Sequence, residues 1–104
     1  MNIIIHSINF KASNNLENYV KQKINKLYKN CTALESATVI LRKQENGKLE
    51  NKSCKIKLAI PGNDPVVTKS TRTYEMSVLQ TIEALQKVLR RKKNKLIAKR
   101  HTDK

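Results

Sequence analysis

The sequence predicts an α+β fold in the order β-α-β-β-β-α, a four-stranded sheet with two helices packed on one face. Three observations carry this. Leu16, Val20, Ile24 and Leu27, and again Val78, Leu79, Ile82, Leu85 and Leu89, recur at the three- and four-residue spacing that lines one face of a helix. Cys54, Ile56, Leu58 and Ile60 alternate with Ser53, Lys55, Lys57 and Ala59, as in a strand buried on one side and wet on the other. Between these segments stand compact turn signals, Pro61-Gly62-Asn63-Asp64-Pro65 above all. With 104 residues, 38% of them hydrophobic, the chain supports one core and not two.

Taken in order, Asn2 to Phe10 is rich in isoleucine and reads as the first strand. Its Ile3-Ile4-Ile5 triplet lacks the charged flank and the apolar length of a signal peptide. Ser13 or Asn14 caps the first helix; if Asn14 does, Glu17 falls at the third helical position and returns the hydrogen bond. That helix runs to about Asn30, with Cys31 closing its inner face and Lys21, Lys23, Lys26 and Lys29 on its flanks and outer side. Lysines near the end of a helix also suit the negative pole of its dipole, so their presence alone does not define a binding surface.

Ser36 to Lys43 is the second strand, with Ala37, Val39 and Leu41 on one side and Thr38, Ile40 and Arg42 on the other. Asn46-Gly47 supplies the positive φ that a hairpin to the third strand, Ser53 to Ile60, would need. Val66 to Thr71 is a shorter fourth strand. Thr73 caps the final helix, and Glu75 sits in its first turn, where negative charge is favoured. Beyond Leu89 the register puts Lys92, Lys93 and Leu96 where core residues would continue. Lysines there predict that the helix outruns the sheet, projects into solvent and frays towards Lys104. The expected organisation is one domain over 1–100 with a basic tail end at 101–104.

Charge is the dominant global property: 22 Lys and Arg against eight Asp and Glu, a formal net charge of +14. From residue 87 onward nine basic residues face a single acid. Such a field draws a chain towards polyanions. The set Lys87, Arg90, Arg91, Lys92, Lys93, Lys95, Lys99 and Arg100 is uninterrupted by acid and marks this end of the chain as built to meet a polyanion. Aromatics make up only 4% of the chain, and the wet side of the sheet offers Arg42, Lys55 and Lys57 but no stacking ring. Tyr19, Tyr28 and Tyr74 are expected to pack internally. Specificity should then come from shape and phosphate position.

Enzymatic chemistry finds little support. His6 and His101 are far apart, the acids are scattered, and two glycines cannot build a phosphate-cradling loop. Cys31 and Cys54 lack zinc-ligand spacing and read as two buried, reduced thiols of a cytoplasmic protein. No cofactor or metal is expected. Nothing approaches the length of a membrane span, and although such charge would also attract an anionic membrane surface, no membrane partner is expected.

The element order, the helix-1 run Tyr19-Val20-Lys21-Gln22-Lys23-Ile24-Asn25-Lys26-Leu27 and the helix-2 run Glu83-Ala84-Leu85-Gln86-Lys87-Val88-Leu89-Arg90-Arg91 resemble the ribosome hibernation-promoting factors, the ribosome-associated translation inhibitors of bacteria and plastids. The resemblance covers nearly the whole chain. It implies a non-enzymatic protein that binds the small ribosomal subunit and its 16S rRNA in the channel where mRNA and tRNA would lie. Competing with those ligands, such a protein inhibits translation in stress or stationary phase. The family's helical basic positions map onto Lys23, Lys26, Lys87, Arg91 and Lys95; Arg90, Lys92 and Lys93 are added from the charge run itself. The chain is similar to the short family form, monomeric when free and able in some bacteria to promote ribosome pairing with a second factor. Arg72 departs from the Asp that many relatives carry two residues before the helix-2 aromatic. Capping then rests on Thr73, or Arg72 is a further phosphate contact. A constitutive RNA-binding or ribosomal structural protein is the alternative reading.

Overall fold

The computed structural model describes residues 2–31, 33–44, 47, 49–62 and 64–102, without the side chains of Asn30 and of residues 91–102. The elements are β1 (Asn2–Ile8), α1 (Asn14–Asn30), β2 (Ser36–Lys43), β3 (Lys52–Ala59), β4 (Val66–Thr71) and α2 (Tyr74–Thr102). This is the expected β-α-β-β-β-α order. The sheet is mixed, in the spatial order β1-β2-β3-β4. β1 lies parallel to β2 with Ile5 opposite Val39, while β3 runs antiparallel to both β2 and β4. A parallel neighbour cannot be reached by a tight turn, and α1 is the crossover that makes it reachable.

Local chemistry explains most element ends. β1 stops at Ile8, short of the expected Phe10, because Asn9 takes a left-handed φ of 66° that a strand cannot hold. Asparagine tolerates that region, and its Nδ2 donates to the Lys43 carbonyl oxygen at 3.2 Å. Ser13, not Asn14, caps α1, its hydroxyl accepting from the Leu16 amide at 3.1 Å. Glu17 is therefore one position too far along for a reciprocal capping box. Thr73 caps α2 as expected, its hydroxyl accepting from the Met76 amide at 3.2 Å. The β2–β3 connection is closed at its base by the Gln44 amide donating to the Asn51 carbonyl oxygen at 2.7 Å. Gly47 carries the positive φ, 71°, whereas Asn46 lies outside the described residues. β3 is displaced one residue from its expected span, leaving Ile60 as a single bridge just past its end.

The core sits between the helices and one face of the sheet. Val20, Ile24 and Leu27 of α1, Val39 and Leu41 of β2, Ile56 and Leu58 of β3, and Val78, Ile82 and Leu85 of α2 are all buried. One part of the expected packing needs correcting. Leu79 and Leu89 are only half-buried, while Ser77 and Thr81 are completely enclosed. The buried stripe of α2 is thus rotated towards its hydroxyl residues. Burial is tolerable because each hydroxyl is satisfied. Ser77 donates to the Lys52 carbonyl oxygen at 2.6 Å and lies 2.8 Å from the Thr71 hydroxyl, and Thr81 donates to the Ser77 carbonyl oxygen at 2.7 Å. The first of these bonds fastens α2 to β3.

The rings follow the same logic. Phe10 and Tyr74 stack with centroids 4.1 Å apart, closing the end of the core where both helices begin. Burial pushes the Tyr74 phenol above its ordinary pKa. Tyr28, expected to pack, stands 40% exposed, because it follows the buried Leu27 by one residue and so points about 100° away from the inner stripe.

Both cysteines are free; Cys54 is buried, but Cys31, at the C-cap of α1, is half-buried. Burial pushes the Cys54 thiol up to about 12, a shift that the Thr81 hydrogen bond only partly offsets. The thiolate is the nucleophile, so a raised pKa keeps this group protonated and inert through neutral and mildly alkaline pH. We expect a thiol reagent at pH 8 to label Cys31 alone in the native protein and both cysteines in denaturant, read by mass spectrometry. Native labelling of Cys54 at the rate of Cys31 would contradict its enclosure.

Candidate nucleic-acid interface

β1, β2 and β4 all run in the same direction, and each helix returns against the strand before it. α1 and α2 are therefore parallel to each other and begin at the same end. There the Tyr19 hydroxyl donates to the Glu75 carbonyl oxygen at 3.5 Å, joining the helices directly. Tyr19, Lys23 and Lys26 follow one another at four- and three-residue steps, so they share the α1 flank that faces α2. The Lys23 ammonium stands 5.3 Å from the Tyr19 ring centroid, a cation–π contact that directs the side chain along the seam.

On α2, Glu75, Leu79, Ile82, Gln86 and Arg90 repeat at the same steps and form the flank turned to α1. By helical spacing Lys23 and Lys26 fall on the α2-facing flank of α1 and Arg90 on the matching flank of α2 near the end of α1, along one interhelical seam. Lys87 is brought elsewhere, onto the outward face of α2. Lys26, Lys87 and Arg90 are exposed and Lys23 is half-buried. Among the described residues, no carboxylate lies within ion-pair distance of any of these four. Their charge is uncompensated and free to meet an external anion.

The side chains of Arg91, Lys92, Lys93 and Lys95 lie outside the described residues, but the helix that carries them continues unbroken to Thr102. α2 has 29 residues against 17 in α1. From a common starting end, the difference is about 18 Å of helix beyond the end of α1. Asp103 and Lys104, where fraying was expected, are outside the described residues. Arg72 is exposed beside an open depression with Glu50 and Gln80, and Thr73 alone provides the side-chain cap of α2.

Sequence reasoning found these cations individually but not their grouping, and it did not anticipate the Tyr19 contact that orients Lys23. The step from Tyr19 to Lys23 was the available signal. Among the described residues, no group of three His, Cys, Asp or Glu side chains could hold a metal ion. Nor is any described helix long and apolar enough to cross a membrane.

Fold and surface together define a small basic α+β domain that presents its charge along two parallel helices rather than around a pocket. The chain belongs to the sigma 54 modulation protein / S30EA ribosomal protein family, whose model matches residues 3–97. This is the family of hibernation factors that the sequence resembles. Among solved structures, the chain is similar to a ribosomal subunit interface protein from Coxiella burnetii, with 16% identity and a TM-score of 0.79 over 90% of this chain and 99% of that one. It is also similar to the N-terminal domain of Thermus thermophilus Protein Y, with 19% identity and a TM-score of 0.73 over 88% and 98% of the two chains. At these identities the likeness is one of fold. Comparison with curated protein sequences gives no match.

Proposed function

We propose that this chain is a ribosome hibernation factor that occupies the mRNA and tRNA channel of the small ribosomal subunit and so inhibits translation in stress or stationary phase. Membership of the S30EA family supports association with the ribosome, as does the fold shared with a protein described as a ribosomal subunit interface protein. The observation that carries the finer reading is the seam of unpaired cations, Lys23, Lys26 and Arg90, continued by a helix about 18 Å longer than its neighbour. A long basic helix beside a cationic seam suits a cleft walled by RNA backbone, where phosphates position the protein without base readout. Lys87, on the outward face of α2, and Arg91, Lys92, Lys93 and Lys95, farther along the same helix, add positive charge in this reading. No nucleophile is needed, because inhibition is competition for space and charge. Residues 1–100 form the ribosome-binding unit, cytoplasmic and monomeric when free.

The test is co-sedimentation of the purified protein with small subunits, with and without messenger and initiator transfer RNA. We expect saturable one-to-one binding that those ligands prevent. Neutralising ~6–8 phosphates predicts that affinity falls by about three orders of magnitude or more from 50 to 200 mM salt. Binding that ignores messenger and transfer RNA would remove the decoding-channel claim. Retention through high-salt washing would favour a constitutive ribosomal component.

A further inference from the structure

The seam lies on the helical side of the sheet; the opposite side carries no helix among the described residues and differs in kind. Strand register sets Ile4 of β1 in the same row as Lys57 of β3, Ile40 of β2 beside Lys55, and Ile8 of β1 beside Arg42. Ile4 and Ile8 are 49% and 39% exposed, with exposed His6 between them on β1 and half-buried Ile40 opposite His6 on β2. Arg42, Lys55 and Lys57 are exposed, and none of the four strands contains an acidic residue. β1 is an edge strand without a charge or a proline, the usual devices that keep an edge unpartnered.

We propose that this open face docks an acidic amphipathic helix of a partner protein, its apolar stripe on Ile4, Ile8 and Ile40 and its carboxylates towards Arg42, Lys55 and Lys57. The dimensions suit that occupant. Ile4 and Ile8 stand about 13 Å apart along β1, roughly two helical turns, and Lys57 lies two strands from Ile4, about 10 Å, the width of one helix. Nucleic acid fits less well, because the face has no aromatic ring to stack on a base and would set its isoleucines against phosphates. A second copy of this chain fits worst, since stacking two such faces would oppose six cations with no intervening acid. The surface lies across the sheet from the proposed RNA-binding helices, so both can be occupied at once.

The probe is a fluorescein-labelled peptide of about 18 residues with leucines at helical a and d spacing and glutamates on the flanks. Its affinity for the full chain is read by anisotropy and its site by amide chemical-shift changes. We expect saturable, salt-sensitive binding that perturbs β1, β2 and β3, and little binding of the counterpart with lysine in place of glutamate. Ile4→Thr with Ile8→Thr should weaken binding about tenfold, and Lys55→Gln with Lys57→Gln about fivefold. Threonine keeps the β-branched shape at exposed strand positions. The isoleucine pair should also leave small-subunit co-sedimentation within about twofold, because it changes no charge. If that variant fails to fold, the lysine pair alone decides. No saturable binding, or shifts confined to α1 and α2, overturns the proposal. So does displacement of the peptide from the sheet by an oligouridylate, which would make the face a nucleic-acid surface. A concentration-dependent dimer abolished by the isoleucine pair would overturn it too, assigning the face to self-association.

Discussion

Replacing Arg90, Arg91 and Lys95 by Glu abolishes co-sedimentation with small ribosomal subunits at moderate salt while the domain stays folded. The three reversals move the formal charge from +14 to +8 and place the new negative charges on the helix that carries the proposed contact. Losing three charge-assisted contacts, at about 1.5 kcal/mol or more each, weakens binding by roughly a thousandfold before repulsion is counted. The fold has little reason to respond. Arg90 is exposed and makes no ion pair among the described residues, and glutamate is nearly as good a helix former as arginine. Circular dichroism checks the fold, and sedimentation checks the binding. Near-wild-type binding by the folded triple variant would move the interaction surface elsewhere and remove the central support for the proposed mechanism.

Leu85→Ala costs about 3 kcal/mol of stability and lowers the melting temperature by roughly 12 °C or more. Leu85 is completely enclosed on the side of α2 that meets the sheet, so truncation leaves a cavity that fixed neighbours cannot collapse. Leu79→Ala, at a half-buried position on the flank facing α1, should cost only about 1 kcal/mol. The contrast matters because helical periodicity alone ranks the two leucines together. Equal losses in denaturant unfolding would return the buried stripe to its sequence-predicted position and contradict the enclosure of Ser77 and Thr81.

Those hydroxyls show where reading the sequence stopped. Serine and threonine on a helix score as polar, and only a nearby carbonyl makes their burial inexpensive. The carbonyl that receives Ser77 belongs to Lys52, 25 residues away. Tyr28 failed in the opposite sense: an aromatic in a helix was expected inside, but its angular position, one residue past Leu27, put it out. The early end of β1 was set by one backbone conformation, at Asn9, that composition does not announce. The cations were legible as a run, yet their division between a seam and an outward face depended on how α1 lies against α2.

The sequence by itself determined what is local: the element order, both helix caps at or within one residue of expectation, the buried faces of β2 and β3, and an excess of positive charge near the C-terminal end. These follow from interactions within a few residues, where side-chain period and hydrogen-bonding chemistry leave few choices. Only the tertiary structure decided that β1 joins β2 in parallel at the sheet edge, that Lys23 and Lys26 share a seam with Arg90, and that Ile4 and Ile8 face outward in the same rows as Lys57 and Arg42. Each depends on groups distant in the chain, and the packing that brings them together is specified by the whole core at once.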